Sequence, residues 1–269
     1  MKIDGKLLAK KVLEDIRTDL KSLPQITLAI VTLGPEDAWE HYVKQKLKLA
    51  KELGIKTDLI NIKEPTEDKL ISIIQQLNNN NNITGIIVQR PLTKHITGAK
   101  ITYSVKPKKD IDGFIKNSFF LPPVWLAVKD ILSEVAKIKN SKLESWLKNK
   151  NITVLGKGET AGQPIIDGLR ELGIEPKIID SHTQNSEGIL KSSDIIISAV
   201  GKSEAFAAAD LKNGVTIIGI GLHREDGKLK PDFDEQEVSR VAKYYSPTPG
   251  GVGPLNLAYL FKNLIEAAK

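Results

Sequence analysis

A glycine-rich turn gives this sequence its sharpest signal for phosphate binding. Gly156, Gly158 and Ala161 fit the pattern G-x-G-x-x-G/A, directly after a predicted strand and before a predicted helix. Glycines here permit a tight turn, and the helix N-terminus offers backbone N–H groups to a pyrophosphate. Asp180 follows the next predicted strand, where a carboxylate can accept a hydrogen bond from a ribose 2′-hydroxyl. These residues predict a dinucleotide site; the alternative is a turn that only caps a helix.

Polar residues in the first half of the chain could act on a small substrate. Tyr42 and Lys46 lie four residues apart on a predicted helix, and therefore on one face. If that face borders a cleft, desolvation lowers the lysine pKa and suits the amine to proton transfer; otherwise the pair serves packing and solvation. Gln89 follows an apolar strand, where strand ends present side chains to a ligand crevice. Asp110 and Asp112, in K-D-I-D-G, could do acid–base work, bind a metal, hydrogen-bond a ring amide or form a plain turn.

A second glycine-rich stretch, P-T-P-G-G-V-G-P, holds Pro249, Gly250, Gly251 and Gly253. Three glycines among prolines make a segment whose backbone amides can approach a ligand closely. The alternative is a loop between domains.

Several protein classes are excluded or disfavoured by what the sequence lacks. With no cysteine, disulfides, zinc ribbons, cysteine nucleophiles and iron–sulfur clusters are excluded. Without G-x-S-x-G or a Walker lysine, serine hydrolases and kinases are disfavoured. No metal is expected, since the histidines form no ligand pair and are predicted to be surface residues. They are His41, His95, His182 and His223.

Charge and hydropathy favour a small anionic ligand over nucleic acid or membrane. The net charge is +6, and no block of five or six like charges occurs. No apolar run approaches the 18 or so residues of a membrane span. We therefore expect a cytoplasmic enzyme.

The elements that must position these residues alternate between helix and strand. A length of 269 residues suits two modest α/β domains with parallel sheets. The predicted strands are 26–33, 56–62, 85–88, 152–155, 177–180, 194–199 and 215–220. The predicted helices cover about 7–16, 36–54, 67–77, 125–138, 161–172, a segment ending at 190, and 251–269, with the five asparagines 78–82 as a loop.

Four motifs occur together in the order and spacing of one family. They are Tyr42-x-x-x-Lys46, the stretch G-I-I-V-Q-R-P-L at 85–92, P-K-K-D-I-D-G at 107–113 and P-G-G-V-G-P at 249–254. On these motifs the chain closely resembles the bifunctional methylenetetrahydrofolate dehydrogenase/methenyltetrahydrofolate cyclohydrolase family over practically its whole length. The resemblance implies a catalytic, folate-binding domain at 1–120, completed by a C-terminal helix at 252–269. It also implies a Rossmann-like NAD(P)-binding domain at 121–251 and a homodimer.

The resemblance further implies a reaction and roles for individual residues. Hydride would pass from 5,10-methylenetetrahydrofolate to NADP or NAD, and the methenyl product would be hydrolysed to 10-formyltetrahydrofolate. Lys46 would be the central catalytic group, with Tyr42 stacking on the folate, Gln89 holding Lys46 and Asp112 anchoring the pterin. Other folate contacts would be Val88, Pro91, Leu92, Pro249, Gly250, Gly251 and Gly253. Cofactor contacts would be Gly156, Lys157, Gly158, Ala161, Gly162, Asp180, Ser181, Ala199, Val200, Gly201 and Gly221.

The chain departs from the family pattern at several positions, which we expect to cluster around cofactor and folate surfaces rather than in the core. They are Ala38-Trp39 for Ala-Ser, Pro122-Pro123-Val124-Trp125 for Pro-Cys-Thr-Pro, Lys157-Gly158 for Arg-Ser, Asp180-Ser181 for His-Ser, Gly219 for Asp and Asn256 for Thr. A carboxylate at 180 repels a 2′-phosphate and favours NAD, whereas Lys157 and Ser181 could hold NADP. Two alternatives stay open: a degenerate paralogue that binds without turnover, and an enzyme with one of the two activities.

Overall fold

The chain divides into two compact units. The computed structural model describes residues 1–36, 39–92, 96, 101, 104–115, 117–203, 205–225 and 228–269; Ala38 and His95 lie outside these ranges. The N-terminal unit comprises residues 12–123 and 257–269, and the central unit comprises 1–11 and 124–256. The domain boundaries expected from the sequence, which keep residues 1–11 with the folate-binding part, stay predictions.

The N-terminal unit is built on a parallel sheet of three strands. These are β1 (Thr27–Leu33), β2 (Lys56–Ile62) and β3 (Gly85–Val88), in the order β2-β1-β3. All of β1 is buried, as expected of a central strand covered on both faces. Because β2 lies on one side of β1 and β3 on the other, the order in which strands are added reverses between β1 and β3. The crevice at the carboxyl ends of strands at such a switch point is where open α/β sheets bind ligands.

The helices of the N-terminal unit complete its core. Within the described residues they are the second half of α1 (Gly5–Asp19), α2 (Glu40–Glu52), α3 (Glu67–Asn79) and most of the last helix, Val252–Glu266, with a 3-10 turn at Pro107–Lys109. Leu70, Ile74 and Leu77 of α3 recur at helical spacing and pack into the same core as Val31 and Ile86 of the sheet. The unit therefore has a helix-on-sheet core of its own.

The last helix is tied to the N-terminal unit by a buried asparagine. Asn263 Nδ2 donates hydrogen bonds to the carbonyl oxygens of Ile111 (2.9 Å) and Leu121 (3.0 Å). Asn263 is 6% exposed, so both carbonyls would lose their partner away from water if the amide were removed.

The central unit contains a parallel sheet of five strands in the order β10-β7-β6-β4-β5. They are β4 (Ile152–Leu155), β5 (Lys177–Ile179), β6 (Ile195–Ser198), β7 (Thr216–Gly219) and β10 (Tyr244–Tyr245), and β8 (Leu222–Glu225) pairs with β9 (Lys228–Pro231) as an antiparallel hairpin. The helices are α4 (Pro123–Ile138), α5 (Leu143–Leu147), α6 (Gly162–Glu171), α7 (Ser186–Ser192) and α8 (Glu235–Val241), and the last helix is α9. Strand β5 lies on one side of β4, and β6 and the later strands lie on the other. The topological switch point of this doubly wound sheet is therefore between β4 and β6. Two α/β units with parallel sheets confirm the predicted fold class.

The departures from the family pattern do not all lie at ligand surfaces, and that expectation is wrong for four of them. Trp39, Val124, Trp125 and Gly219 are buried. A Cβ on Gly168 of α6 would lie 2.2 Å from the Trp125 ring, so the large indole fits against a residue without a side chain. A Cβ on Gly219 would likewise lie 2.9 Å from the Phe233 ring and from Thr248 Oγ1. The Trp125 ring therefore fills core space, whereas the glycine at 219 leaves room for neighbouring side chains.

Within the described residues, every helix is too short or too polar to cross a lipid bilayer.

Candidate active site

Gln89 carries the sheet hydrogen bonding one residue beyond β3. Its backbone N–H donates to the Val31 carbonyl (2.8 Å), and its side chain is 8% exposed. The amide Nε2 donates to the Arg90 carbonyl (2.7 Å), which fixes the orientation of the amide. Its Oε1 then accepts a hydrogen bond from Lys46 Nζ at 2.6 Å. Two predicted site residues, 43 positions apart, are thus in direct contact.

Lys46 and Asp112 have pKa values shifted toward each other. Burial lowers the pKa of Lys46, and the charge of Asp112 opposes that shift. Burial raises the pKa of Asp112 to about 6; Lys46 and Arg90 lower it, and Asp110 raises it further. An amine and a carboxyl group whose pKa values converge on neutrality are suited to move or hold protons near pH 7.

The turn that carries Asp112 is fixed to the sheet beside Gln89. Asp110 forms a parallel bridge with Ile86 of β3, and its Oδ2 accepts a hydrogen bond from the Ile115 backbone N–H (2.9 Å). Gly113 follows Asp112 with φ +68°, a conformation that favours glycine. The D-x-D-G stretch is therefore a turn, as one reading proposed, and the turn places Asp112 at the site.

Tyr42 lies one helical turn before Lys46, with 44% of its surface exposed. The exposed ring of Tyr42 meets His41 edge-on, with 5.7 Å between the ring centroids. An exposed phenol ring beside a half-buried lysine offers a flat surface for an aromatic ligand.

Val88 and Asp112 line one cavity. Pro91 and Leu92 lie three and four residues after Val88 in the chain. Arg90 and Phe114 line the same cavity, with the guanidinium carbon 5.6 Å from the centre of the Phe114 ring. Sequence reasoning did not assign Arg90. The available signal was a charged residue two positions after an apolar strand, flanked by two assigned positions.

In the central unit, the glycine-rich turn lies at the switch point of the sheet. A Cβ on Gly162 would lie 2.0 Å from the Gly156 carbonyl oxygen, so the first residue of α6 must be a glycine. Gly156 has φ +86°, and its own Cβ would lie 2.8 Å from the Ala199 carbonyl oxygen. The loops after β4 and β6 therefore meet here. Ala161 makes no side-chain cap, and Lys157 and Gly158 are exposed. This is the arrangement that a pyrophosphate requires.

Lys157 and Asp180 form an ion pair. Lys157 Nζ lies 2.8 Å from Asp180 Oδ2, while Asp180 Oδ1 accepts hydrogen bonds from the His182 backbone N–H (2.9 Å) and Thr183 Oγ1 (3.1 Å). The hydrogen bond from Lys157 is the largest of the effects that lower the pKa of Asp180 to about 2. Ser181 is exposed beside this pair.

The remaining predicted cofactor residues surround a buried carboxylate that the sequence did not single out. Asp232 is 1% exposed, and its Oδ2 accepts hydrogen bonds from Ser198 Oγ (2.7 Å) and the Val200 backbone N–H (3.1 Å). Gly221 packs so closely that its Cβ would lie 2.0 Å from that carboxylate, and Gly201 lies near Leu222. Asp232 therefore holds the loops after β6 and β7 in place.

The second glycine-rich stretch belongs by its contacts to the central unit, whereas Lys46, Gln89 and Asp112 belong to the N-terminal unit. A Cβ on Gly5 would lie 1.9 Å from the Gly251 carbonyl oxygen, so this loop packs tightly on the start of α1. Pro249 and Gly253 are exposed and Gly250 is buried.

The histidines divide between surface and interior. His41 and His182 are exposed, as predicted. The prediction is wrong for His223, whose side chain is 13% exposed and lies 3.6 Å from Glu225 Oε2. The part of the chain that the structure describes contains no group of three His, Cys, Asp or Glu placed to hold a metal.

A dinucleotide turn in one α/β unit and a lysine–carboxylate site in another define a nucleotide-dependent enzyme of two α/β domains. Sequence models of the tetrahydrofolate dehydrogenase/cyclohydrolase catalytic domain and NAD(P)-binding domain match residues 3–112 and 134–269, respectively. The chain belongs to the tetrahydrofolate dehydrogenase/cyclohydrolase family. Its enzyme class and its use of a nicotinamide dinucleotide are thereby confirmed.

Individual relatives match over nearly the full length. The bifunctional protein FolD of Nautilia profundicola is 36% identical, covering 99% of this chain and 96% of its own. The crystal structure of the bifunctional FolD methylenetetrahydrofolate dehydrogenase/cyclohydrolase from Campylobacter jejuni is 30% identical with a TM-score of 0.90, covering 100% of this chain and 98% of its own. FolD from Trypanosoma brucei, in complex with NADP and an inhibitor, is 25% identical with a TM-score of 0.86, covering 99% and 96%.

Proposed function

We propose that this chain oxidises 5,10-methylenetetrahydrofolate to 5,10-methenyltetrahydrofolate with NAD(P), and hydrolyses that product to 10-formyltetrahydrofolate. The observation that carries the proposal is the 2.6 Å hydrogen bond from Lys46 Nζ to Gln89 Oε1, in a chain of this family, with Asp112 acting on the same amine. In the first step a hydride leaves the one-carbon bridge. In the second, water adds to the methenyl carbon, the bond to N5 breaks and one proton is released.

Lys46 moves protons at the one-carbon centre. Burial lowers its pKa, so a larger fraction of the amine is neutral near pH 7 than for a lysine in water. A neutral amine can accept the proton of the attacking water. Gln89 holds Nζ through Oε1, and its own amide is fixed by the Arg90 carbonyl, so the amine keeps one position.

Residues around the Lys46 amine bind the folate in this proposal. Asp112, when ionised, accepts hydrogen bonds from pterin N–H groups, and the exposed Tyr42 ring stacks on the folate. Val88, Pro91 and Leu92 supply further contacts along the end of β3. The family resemblance also assigns folate contacts to Pro249, Gly250, Gly251 and Gly253.

The glycine-rich turn holds the dinucleotide. The residues fit this group, since Gly162 brings the start of α6 against Gly156 and no side chain caps the helix. When bound, the nicotinamide supplies the hydride acceptor. Ala199, Val200, Gly201 and Gly221 follow β6 and β7, where strand ends meet a ligand in such sheets. Gly158 and Ala161 complete the turn.

The Lys157–Asp180 ion pair sets the choice between NADP and NAD. We infer that the site uses NADP and also accepts NAD: Lys157 would leave Asp180 for a 2′-phosphate, with Ser181 beside it, and Asp180 would accept a free 2′-hydroxyl. Asp180→Ala should raise the kcat/KM ratio of NADP to NAD about tenfold, and Lys157→Ala should lower it. An unchanged ratio in both variants would show that the pair does not contact the ribose.

The function is tested by initial rates with 5,10-methylenetetrahydrofolate and each cofactor, following reduced cofactor and methenyl product separately. Lys46→Ala should abolish the cyclohydrolase step in folded protein, whereas Lys44→Ala, an exposed lysine paired with Glu40 on the same helix, should not. Full cyclohydrolase activity in Lys46→Ala would refute the role of Lys46. Folate binding without turnover in the unsubstituted protein would favour the degenerate paralogue, and one half-reaction alone would favour a single activity.

We further propose that the enzyme is a cytoplasmic homodimer. Both statements rest on the family resemblance and on the charge and hydropathy of the chain. Sedimentation of the purified protein tests the dimer.

A further inference from the structure

Arg90 brings a second cation to the site. It follows Gln89 directly and lines the same cavity as Asp110, Asp112 and Phe114. The mechanism proposed above uses Lys46, Gln89 and Asp112 and gives no part to this guanidinium.

The position of Arg90 is set by the turn that carries Asp112. Its guanidinium carbon lies 5.6 Å from the centre of the Phe114 ring, within the range of a cation–π contact. Phe114 is two residues after Asp112, and Asp110 ties the turn to β3 through its bridge with Ile86. The segment made of β3 and the residues up to Arg90 therefore contacts the turn that holds Asp112 at two points.

The charges around Asp112 explain what a second cation would do. Asp110 is 5% exposed, receives a hydrogen bond from the Ile115 N–H, and its charge disfavours ionisation of Asp112. Lys46 and Arg90 both favour ionisation of Asp112. Lys46 must be partly neutral to accept protons, so its charge is not constant, whereas an arginine stays protonated.

We propose that Arg90 is a positioning residue for folate binding: its permanent charge, resting on Phe114, keeps the Asp112 carboxylate ionised as an acceptor for the pterin while Lys46 gains and loses its proton. This inference rests on the proposed function, because it takes the pterin as the ligand of Asp112. It assigns to the guanidinium no contact with the reacting carbon.

The first test needs no folate. In protein labelled with carbon-13 at aspartate carboxyl groups, the NMR titration midpoint of Asp112 should rise by about one pH unit in Arg90→Met. Arg90→Lys, which keeps a charge, should restore most of that change. Arg170→Met removes a surface guanidinium that pairs with Glu175 in the central unit and should leave the midpoint unchanged.

The second test measures tetrahydrofolate binding by calorimetry across the same pH range. Arg90→Met should weaken binding about threefold near pH 6.5 and less at higher pH, where Asp112 ionises without help. An unshifted Asp112 midpoint in folded Arg90→Met would overturn the inference. If Arg90→Met does not fold, Phe114→Leu provides a second variant, because it removes the ring that the guanidinium contacts. Phe114→Leu should raise the Asp112 midpoint by a smaller amount. The absence of any rise would also overturn the inference.

These outcomes separate the inference from the function on which it rests. If the unsubstituted protein binds no tetrahydrofolate, the proposed function fails, whatever the NMR midpoint shows. If it binds tetrahydrofolate and the midpoint does not depend on Arg90, only the inference fails.

Discussion

At Asp112, burial and three neighbouring charges act in opposite directions on the pKa of one carboxyl group. Burial dominates and raises the pKa to about 6, while Lys46 and Arg90 limit the rise and Asp110 adds to it. The carboxylate is the form that we propose accepts hydrogen bonds from pterin N–H groups, and it is lost on protonation. Its raised pKa therefore puts this loss much nearer to neutral pH than for an aspartate in water.

Tetrahydrofolate binding should weaken as the pH falls through about 6, because the folded-state pKa of Asp112 lies above its ordinary value. Asp112→Asn, which carries no titrating carboxyl group, should bind at least tenfold more weakly at pH 7.5 and lose this pH dependence. Calorimetry at a series of pH values measures both effects. Asp68→Asn, an exposed carboxylate in the first turn of α3, should behave as the unsubstituted protein does. If tetrahydrofolate binding by Asp112→Asn still weakens as the pH falls, the pH dependence belongs to another group.

At the residue scale, the sequence indicated candidate site residues, but it did not predict most of the contacts between them. Lys46 and Gln89 were linked in advance, and they are in contact. The sequence predicts opposing effects of Lys157 and Asp180 on the choice of cofactor, yet their side chains form one ion pair. The contribution of Arg90 depends on a ring brought to it by the fold, and periodicity along a chain carries no information on such a contact.

At the scale of elements, strands β1 to β7 were predicted to within one residue at each end, because buried strands bounded by turn residues have a strong local signal. The two-residue parallel strand β10 was not predicted. The five asparagines were predicted to form a loop, but Asn78 and Asn79 continue α3. Asn78 Nδ2 donates to the Ser104 carbonyl (2.7 Å) and its Oδ1 accepts from the Lys106 N–H (2.9 Å). Such distant partners override the local preference of asparagine for turns. Helices α5 and α8 were not predicted, although Asp234 accepts hydrogen bonds from backbone N–H groups at the start of α8, as an N-cap residue should.

The glycine-rich turn allows a matched test of one element. Gly162→Ala should weaken dinucleotide binding at least tenfold and destabilise the protein by about 1–3 kcal/mol, because its Cβ would overlap the Gly156 carbonyl. Gly158→Ala should change stability by less than about 1 kcal/mol, since no atom lies within 4 Å of the position of its Cβ. Cofactor titration and urea unfolding measure both variants. Equal losses would mean that the close approach at Gly162 does not determine the turn.

At the scale of the whole molecule, the N-terminal unit depends on residues from the far end of the sequence. Asn263→Ala should lower the free energy of unfolding by about 2–3 kcal/mol, because two buried carbonyl groups lose their donor. Glu266→Ala, which removes a surface ion pair with Lys269, should lower it far less. Urea denaturation followed by circular dichroism compares the two. Similar losses would show that Asn263 does not hold the unit together.

The division of the chain has a consequence for its biosynthesis. Domains generally fold as units while the ribosome is still at work, N-terminal segments first. Residues 12–123 are translated early, but their unit also contains residues 257–269. The segments of the central unit have all been translated by residue 256, so that unit can be complete first.

A nascent chain that stalls before residue 263 lacks the asparagine that joins Ile111 to Leu121. The lysine site is thus finished last, and truncated translation products carry it in an incomplete unit.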